Sequence, residues 1–190
     1  GIPASSIWIS DPQPSAWLSA TGVNINKSLP DNPAVCIIAV KPQIIFEAVS
    51  NLKGYKQSET LFISIAAGIT LKQLEQAISS DSTIIRAMPN TPSAVGKGIT
   101  ALIGNSAAKN EHILISKILL EKISEVVELE HEDQMDIVTG LSGSGPAYVF
   151  YLIESLTNAG IELGLSKEKA LHLAKATVAG SGALAMSSTE

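Results

Sequence analysis

Thr139-Gly140-Leu141-Ser142-Gly143-Ser144-Gly145-Pro146-Ala147-Tyr148-Val149-Phe150 divides the chain into two parts of different character. Before it, short apolar runs rich in β-branched residues alternate with helix-type segments. After it, only helix is written. Gly143, Ser144 and Gly145 predict a loop without bulky side chains, and Pro146 stands where a first helical residue would. Proline suits that place, because its missing N–H would have no intrahelical partner there. The helix it opens presents free backbone N–H groups beside a surface that a ligand can approach closely. A tight interhelical turn is the plainer reading of the same residues. Gly140 to Ser144 lacks the last glycine of a nucleophile elbow and follows no strand, so Ser142 is a poor hydrolase nucleophile.

With 190 residues, 45% of them apolar, the chain can bury a real core. Its 13 Lys and Arg against 18 Asp and Glu give a net charge of −5, with no basic run. That argues against nucleic acid as a partner, since phosphate neutralisation needs clustered cations. A single cysteine rules out an internal disulfide, and Cys36 sits in an apolar run as a small buried hydrophobe. No signal peptide is evident. The most apolar stretch, Tyr148 to Leu165, is interrupted by Glu154, Asn158 and Glu162, which recur every four residues on one helix face. It reads as a core helix, not a membrane span, and the expectation is a cytoplasmic protein.

Upstream, Ile7 to Ser10 predicts a short strand closed by Asp11-Pro12-Gln13-Pro14, and Ser15 to Ala20 a brief helix. A polar stretch through Asn24, Asn26, Asp31 and Asn32 follows. Val35 to Val40 and Leu61 to Ile65 are continuous apolar runs of strand length, as in strands buried on both faces of a parallel sheet. Gln43 to Leu52 has helical periodicity. Thr70 to Gln73 has the form of a capping box opening a helix to about Ile78. Thr83–Arg86, Thr100–Ile103 and Val126–Leu129 are further strands, with an amphipathic helix from Glu111 to Ser124. Gln134–Leu141, Ala147–Leu163 and Lys167–Met186 are helices, the last capped by Ser166.

This alternation predicts a Rossmann-type parallel α/β sheet over residues 1–130, followed by an all-α part over 131–190. Ligands of such sheets bind at the carboxyl ends of the strands. Three predicted strand ends carry small residues and prolines: Ala39-Val40-Lys41-Pro42, Ile65-Ala66-Ala67-Gly68 and Met88-Pro89-Asn90-Thr91. Together they favour a nucleotide or dinucleotide site, with Asn90 and Thr91 able to donate hydrogen bonds. Asp11, ending the first strand, suits the adenosine-ribose hydroxyls of a dinucleotide and would repel a 2′-phosphate. No Gly-x-Gly-x-x-Gly follows a strand, so the first βα unit of the sheet is expected to be absent.

These segments, with Ser64 to Thr70, Ile85 to Pro92 and Thr139 to Tyr148, resemble the pyrroline-5-carboxylate reductase family in order and spacing over nearly the whole chain. The resemblance implies a Rossmann domain, then helices that interlock with those of a partner in a homodimer or higher homo-oligomer. It implies hydride transfer from NADPH or NADH to the C=N of 1-pyrroline-5-carboxylate, giving L-proline. By the same resemblance, Ala39, Val40, Lys41, Pro42, Ile65, Ala66 and Ala67 line the cofactor, and Met88, Pro89, Asn90 and Thr91 lie near the nicotinamide. Asp11 falls at the adenosine ribose. Asn32, preceded by Asp31 as in the family, or Asn26, touches the cofactor. Glu132 matches an acidic residue of the substrate site; on its own it reads as a solvated charge. Ser144 and Gly145 belong to the substrate side.

Two family features have no counterpart here: the amino-terminal glycine-rich turn, and a Ser-Pro-Gly-Gly-Thr-Thr stretch expected after Glu190. A longer polypeptide accounts for both better than a new activity does. Catalytic side chains are not identified, because hydride addition to a protonated imine asks mostly for orientation and electrostatics. His112, His131 and His172 form no cluster, and no pair of Cys or His stands at metal-ligand spacing. Two other classes remain in view: a non-catalytic helical dimer module with a vestigial nucleotide fold, and a related imine or keto reductase. The dimer expectation rests on Tyr148 to Leu165, too apolar around its circumference for so small a helical part to bury alone.

Overall fold

The computed structural model describes residues 1–50, 52, 55 and 59–188. A two-stranded parallel sheet, β1 (Trp8–Ile9) and β2 (Asn24–Ile25), stands apart from a five-stranded sheet. The latter runs in the order β3 (Val35–Ile38), β4 (Leu61–Ser64), β5 (Thr83–Pro89), β6 (Gly98–Gly104), β7 (Ser124–Glu128). The apolar runs became β3 and β4, but of the two only β4 has helices over both faces. Strand β3 is the edge strand, with Ile37 54% exposed, so the expected burial on both faces holds for Leu61–Ser64 and not for Val35–Ile38. Phe62 and Ile84 pack with Ile45 and Val49 of α2 (Ile45–Ser50) and Leu74 of α3 (Leu71–Ala77) on one face. Ile63, Ile85 and Leu102 pack with Leu120 of α4 (Asn110–Leu120) on the other.

Local signals hold where a side chain closes a helix end. Ser15 Oγ accepts from Leu18 N at the start of α1 (Ala16–Ser19). At the start of α3, Thr70 Oγ1 accepts from Gln73 N while the Gln73 amide oxygen accepts from Thr70 N, a complete capping box. The expected helix Gln43–Leu52 is a 3-10 turn, Pro42–Ile44, leading into α2; residue 51 lies outside the described part.

The parallel-dominated sheet has one departure from uniform direction: β5 and β6 are antiparallel, Ile85 facing Gly104 and Pro89 facing Thr100. The link 90–97 is a 3-10 turn ending in Gly96 at φ +68, which reverses the chain. It is too short for a parallel crossover, which takes a dozen residues or more. Strand β2 lies in the stretch expected to be irregular, and α4 ends at Leu120, not Ser124, because Ser124 already pairs with Gly98 in the sheet.

The helical part comprises α5 (Gln134–Val138), a π-helical turn Thr139–Gly143, α6 (Gly145–Glu162) and α7 (Lys167–Ser187). The expected Gly-Ser-Gly loop is thus a widened helical turn. Its flanking residues keep right-handed helical angles, and Thr139 Oγ1 and Ser142 Oγ donate back to Met135 O and Val138 O. Helices α6 and α7 form a hairpin closed by Gly164 at φ +102. Small residues join them: a Cβ on Gly160 would sit 3.0 Å from Ala170 Cβ. The outer surface is apolar and open, with Tyr151 72% and Leu184 72% exposed.

Candidate functional site

The carboxyl ends of β3, β4 and β5 lie in one row: Ile38 pairs with Ser64, and Ser64 with Arg86. The sequence segments expected to hold a cofactor therefore emerge side by side. Ala39 and Ala67 are exposed, Ala66 is buried, and an added Cβ at Gly68 would meet nothing within 4 Å. Small side chains and open space at adjoining strand ends fit a flat cofactor lying against the backbone. Lys41 is exposed, while Val40, Pro42 and Ile65 are half-buried.

Strand β5 runs three residues beyond Arg86 and meets the π-turn. Asn90 Oδ1 accepts from Ile99 N at 2.9 Å, and its Nδ2 donates to Ser142 O at 3.1 Å. One residue on, Gly143 approaches Met88 so closely that a Cβ there would lie 2.8 Å from Met88 Cε. Between the end of β5 and the start of α6 lies a cavity of about 360 Å³, lined by Asn90, Pro92, Leu141, Ser142, Gly145, Pro146, Val149 and Phe150. Ser144 closes the π-turn with its N–H, which donates to Thr139 O, and opens α6 with its carbonyl, which accepts from Ala147 N; space beside Gly145 is open.

Glu132 is placed differently from its neighbours in the motif. Its Oε1 accepts from Arg86 Nη1 at 2.8 Å and from Leu71 N at 2.7 Å, tying β5, the first turn of α3 and the start of α5. Arg86 is 4% exposed, and its second carboxylate neighbour, Asp136, is 4.0 Å away. A buried guanidinium needs such a partner, so the pair follows from the burial. Glu132 faces a second, polar hollow of about 570 Å³, bounded by Glu75, Asn105, Glu130, His131 and Asp133.

The structure thus brings Asn90, Ser142 and Gly145 around one cavity, with Met88 adjoining, and sets Glu132 on another. Asp11 lies at the end of β1, its Oδ1 accepting from Gln13 N and its backbone held by the Asn26 carboxamide. Asn26 has φ 49, and Asn32 is exposed before β3. Neither borders the two hollows described. Arg86 was not singled out from sequence, although a charge inside an apolar strand run is a signal that a partner must exist. Burial pushes the Cys36 thiol up to about 11, which makes it a poor nucleophile.

Residues 132–190 match the family model described as pyrroline-5-carboxylate reductase dimerisation. A pyrroline-5-carboxylate reductase of Pseudomonas aeruginosa is 34% identical over 194 residues, covering 99% of this chain and 71% of that protein. The chain belongs to the pyrroline-5-carboxylate reductase family. A reductase of this name from Synechocystis is 41% identical over 150 residues, or 79% of this chain. The match spans 55% of that protein's length. The crystal structure of Plasmodium falciparum pyrroline carboxylate reductase with NADP bound superposes at a TM-score of 0.88 with 31% identity, covering 99% of this chain and 71% of that one. Family membership accounts for the joint occurrence of the strand-end segments and the π-turn motif. Among the described residues, no helix is long and apolar enough to cross a membrane.

Proposed function

We propose that this polypeptide reduces 1-pyrroline-5-carboxylate to L-proline with hydride from NADPH or NADH, as a homodimer or higher homo-oligomer in the cytoplasm. The carrying observation is the junction of the β5 carboxyl end with the first turn of α6 across Asn90 and Ser142, in line with the ends of β3 and β4. When bound, the reduced nicotinamide supplies the hydride that adds to the imine carbon. Residues 1–130 act as the dinucleotide-binding part and 131–190 as the dimerisation and substrate part.

In this reading Ala39 to Pro42 and Ile65 to Ala67 bed the cofactor, and Met88 to Thr91 border its nicotinamide. Asp11 and either Asn32 or Asn26 serve the adenosine side. Asp11 favours NADH by repelling a 2′-phosphate, while the bound NADP of the Plasmodium relative favours NADPH. Substrate enters between β5 and α6. The substrate carboxylate is drawn to the positive end of the 18-residue α6 and to the open side of Gly145, with Ser144 beside it, while the Ser144 and Ala147 N–H groups stay bonded to Thr139 O and Ser144 O. Glu132 faces the second hollow and not this cavity, so in this reading its carboxylate serves the site by holding Arg86 and Leu71 rather than by touching a substrate seated at α6. The imine is protonated before transfer, so the residues orient and stabilise more than they exchange protons.

The test is oxidation of NADPH or NADH by the natural polypeptide on addition of 1-pyrroline-5-carboxylate, with L-proline identified by chromatography. Turnover is expected with at least one nucleotide. Dinucleotide binding without turnover of this substrate would refute the reading. Turnover of another cyclic imine or a keto acid would then assign a related reductase, and its absence a non-catalytic dimer module.

A further inference from the structure

The Asn90 carboxamide joins three elements with both of its ends. An N–H can be met only by its oxygen and a carbonyl only by its NH₂, so the partners Ile99 N and Ser142 O fix which way it points. Both ends are engaged with backbone. We propose that Asn90 is a positioning residue, which locks the π-turn onto the end of β5 and so sets the width of the cavity between them.

The inference rests on the reductase reading above, in which cofactor and substrate meet in that cavity. Asn90 and Pro92 line it together with Ser142, Gly145, Pro146 and Phe150. The tie at Ser142 and the close contact of Gly143 with Met88 are adjacent, one polar and one steric, so the turn is seated at two neighbouring residues. The Arg86–Glu132 pair holds the start of α5 lower on β5, away from the turn. Hydride transfer is sensitive to such spacing: a misplacement of about 1 Å costs on the order of 100-fold in rate.

Asn90→Asp tests the tie selectively. It keeps an acceptor for Ile99 N–H but sets a carboxylate oxygen against the Ser142 carbonyl. In the natural polypeptide, hydrogen exchange of residues 139–147 is expected to speed up by about 10-fold. The value of kcat is expected to fall by about 10- to 100-fold, more than any rise in the Kd for NADPH accounts for. Gly143→Ala, which presses a methyl on the flexible end of Met88, should lower kcat and loosen the same turn with Asn90 intact. Asn90→Ser, which removes the bond to Ser142 O without adding a charge, decides the matter by the same readouts if Asn90→Asp does not fold. Unchanged exchange and kcat in the folded variant would overturn the proposal. So would a rise in the NADPH Kd that accounts for the whole loss of kcat/KM, since Asn90 would then act on cofactor affinity alone and not on the seating of the turn. A wild type without turnover refutes the reductase reading alone, and the exchange of residues 139–147 still decides on the tie.

Discussion

Glu132→Ala is expected to destabilise the fold by about 3–4 kcal/mol, because it strips a buried guanidinium of its partner. Arg86 has a side chain only 5% exposed, and its Nη1 lies 2.8 Å from Glu132 Oε1. Removing one member of a buried ion pair costs about 3–5 kcal/mol. The Glu132 side chain is 30% exposed, so water can enter where the carboxylate was, which places the ionic loss near the lower bound. Asp136 offers little compensation at 4.0 Å with its side chain 91% exposed. Loss of the acceptor for Leu71 N–H, at 2.7 Å, adds about 1 kcal/mol. Glu132→Gln keeps one acceptor and should cost about half as much. Arg86→Met removes the buried charge itself and leaves Glu132 on Leu71, so it should cost least, about 1 kcal/mol. Urea unfolding at one fixed protein concentration measures all three through the midpoint and slope. A cost below about 1 kcal/mol for Glu132→Ala, or Arg86→Met costing more than Glu132→Ala, would refute the reasoning.

Gly98→Ala should destabilise by about 1–3 kcal/mol, since the new Cβ would lie 2.0 Å from Ser93 Oγ and 2.9 Å from Ser93 Cα; thermal melting checks it, and an unchanged Tm would mean the 91–95 turn yields freely. Cys36 should resist thiol reagents at neutral pH in the native protein and react at once in urea. Its folded pKa, about 11, is above the ordinary 9.0, so its contribution is complete below pH 9 and is lost as pH rises toward 11. Cys36→Ala should flatten stability against pH in that window. Placing charge on the open hairpin face with Tyr151→Glu should convert a dimer to monomer in sedimentation and make the protein less stable; a variant that stays dimeric would move the interface elsewhere.

Much of the sheet is legible where chemistry and burial agree. Leu61 to Ser64 is apolar without alternation because helices lie on both sides, whereas Val35 to Ile38, equally apolar, is an edge strand with Ile37 exposed; the capping box at Thr70 marks the start of α3 to the residue. Legibility fails where long-range pairing decides. Asn24–Ile25 is a strand only because Asn24 N donates to Ile7 O and its side chain to Ser5 O and Ile7 O. No local propensity announces that. The reversal of β6, by contrast, is inferable: the link 90–97 leaves no room for a crossover helix, and Gly96 supplies the turn.

At the site, residue types were legible and their partners were not. The strand-end segments and the π-turn motif could be read as parts of one site from their resemblance to a family, yet nothing local in Met88 to Thr91 says that Asn90 reaches a carbonyl 52 residues on. The same holds for Glu132, which reads as a solvated charge until Arg86 is seen to be buried. One available signal connects the two. Ile84-Ile85-Arg86-Ala87 places a permanent cation inside a strand whose neighbours are all apolar, and such a charge is affordable only with an acid supplied from elsewhere in the chain. Glu132 and Asp136 are four residues apart at the start of the helical part and are the carboxylates that come within reach. The cation in the sheet and the acid before the helices thus form the joint between the two parts. Asn90 repeats the arrangement with neutral groups just past the upper end of the same strand, so β5 carries two ties of the helical part, beside the one from Glu132 to Leu71 of α3. A change in either should be felt at the cavity between β5 and α6, with the ionic joint governing stability and the amide governing geometry.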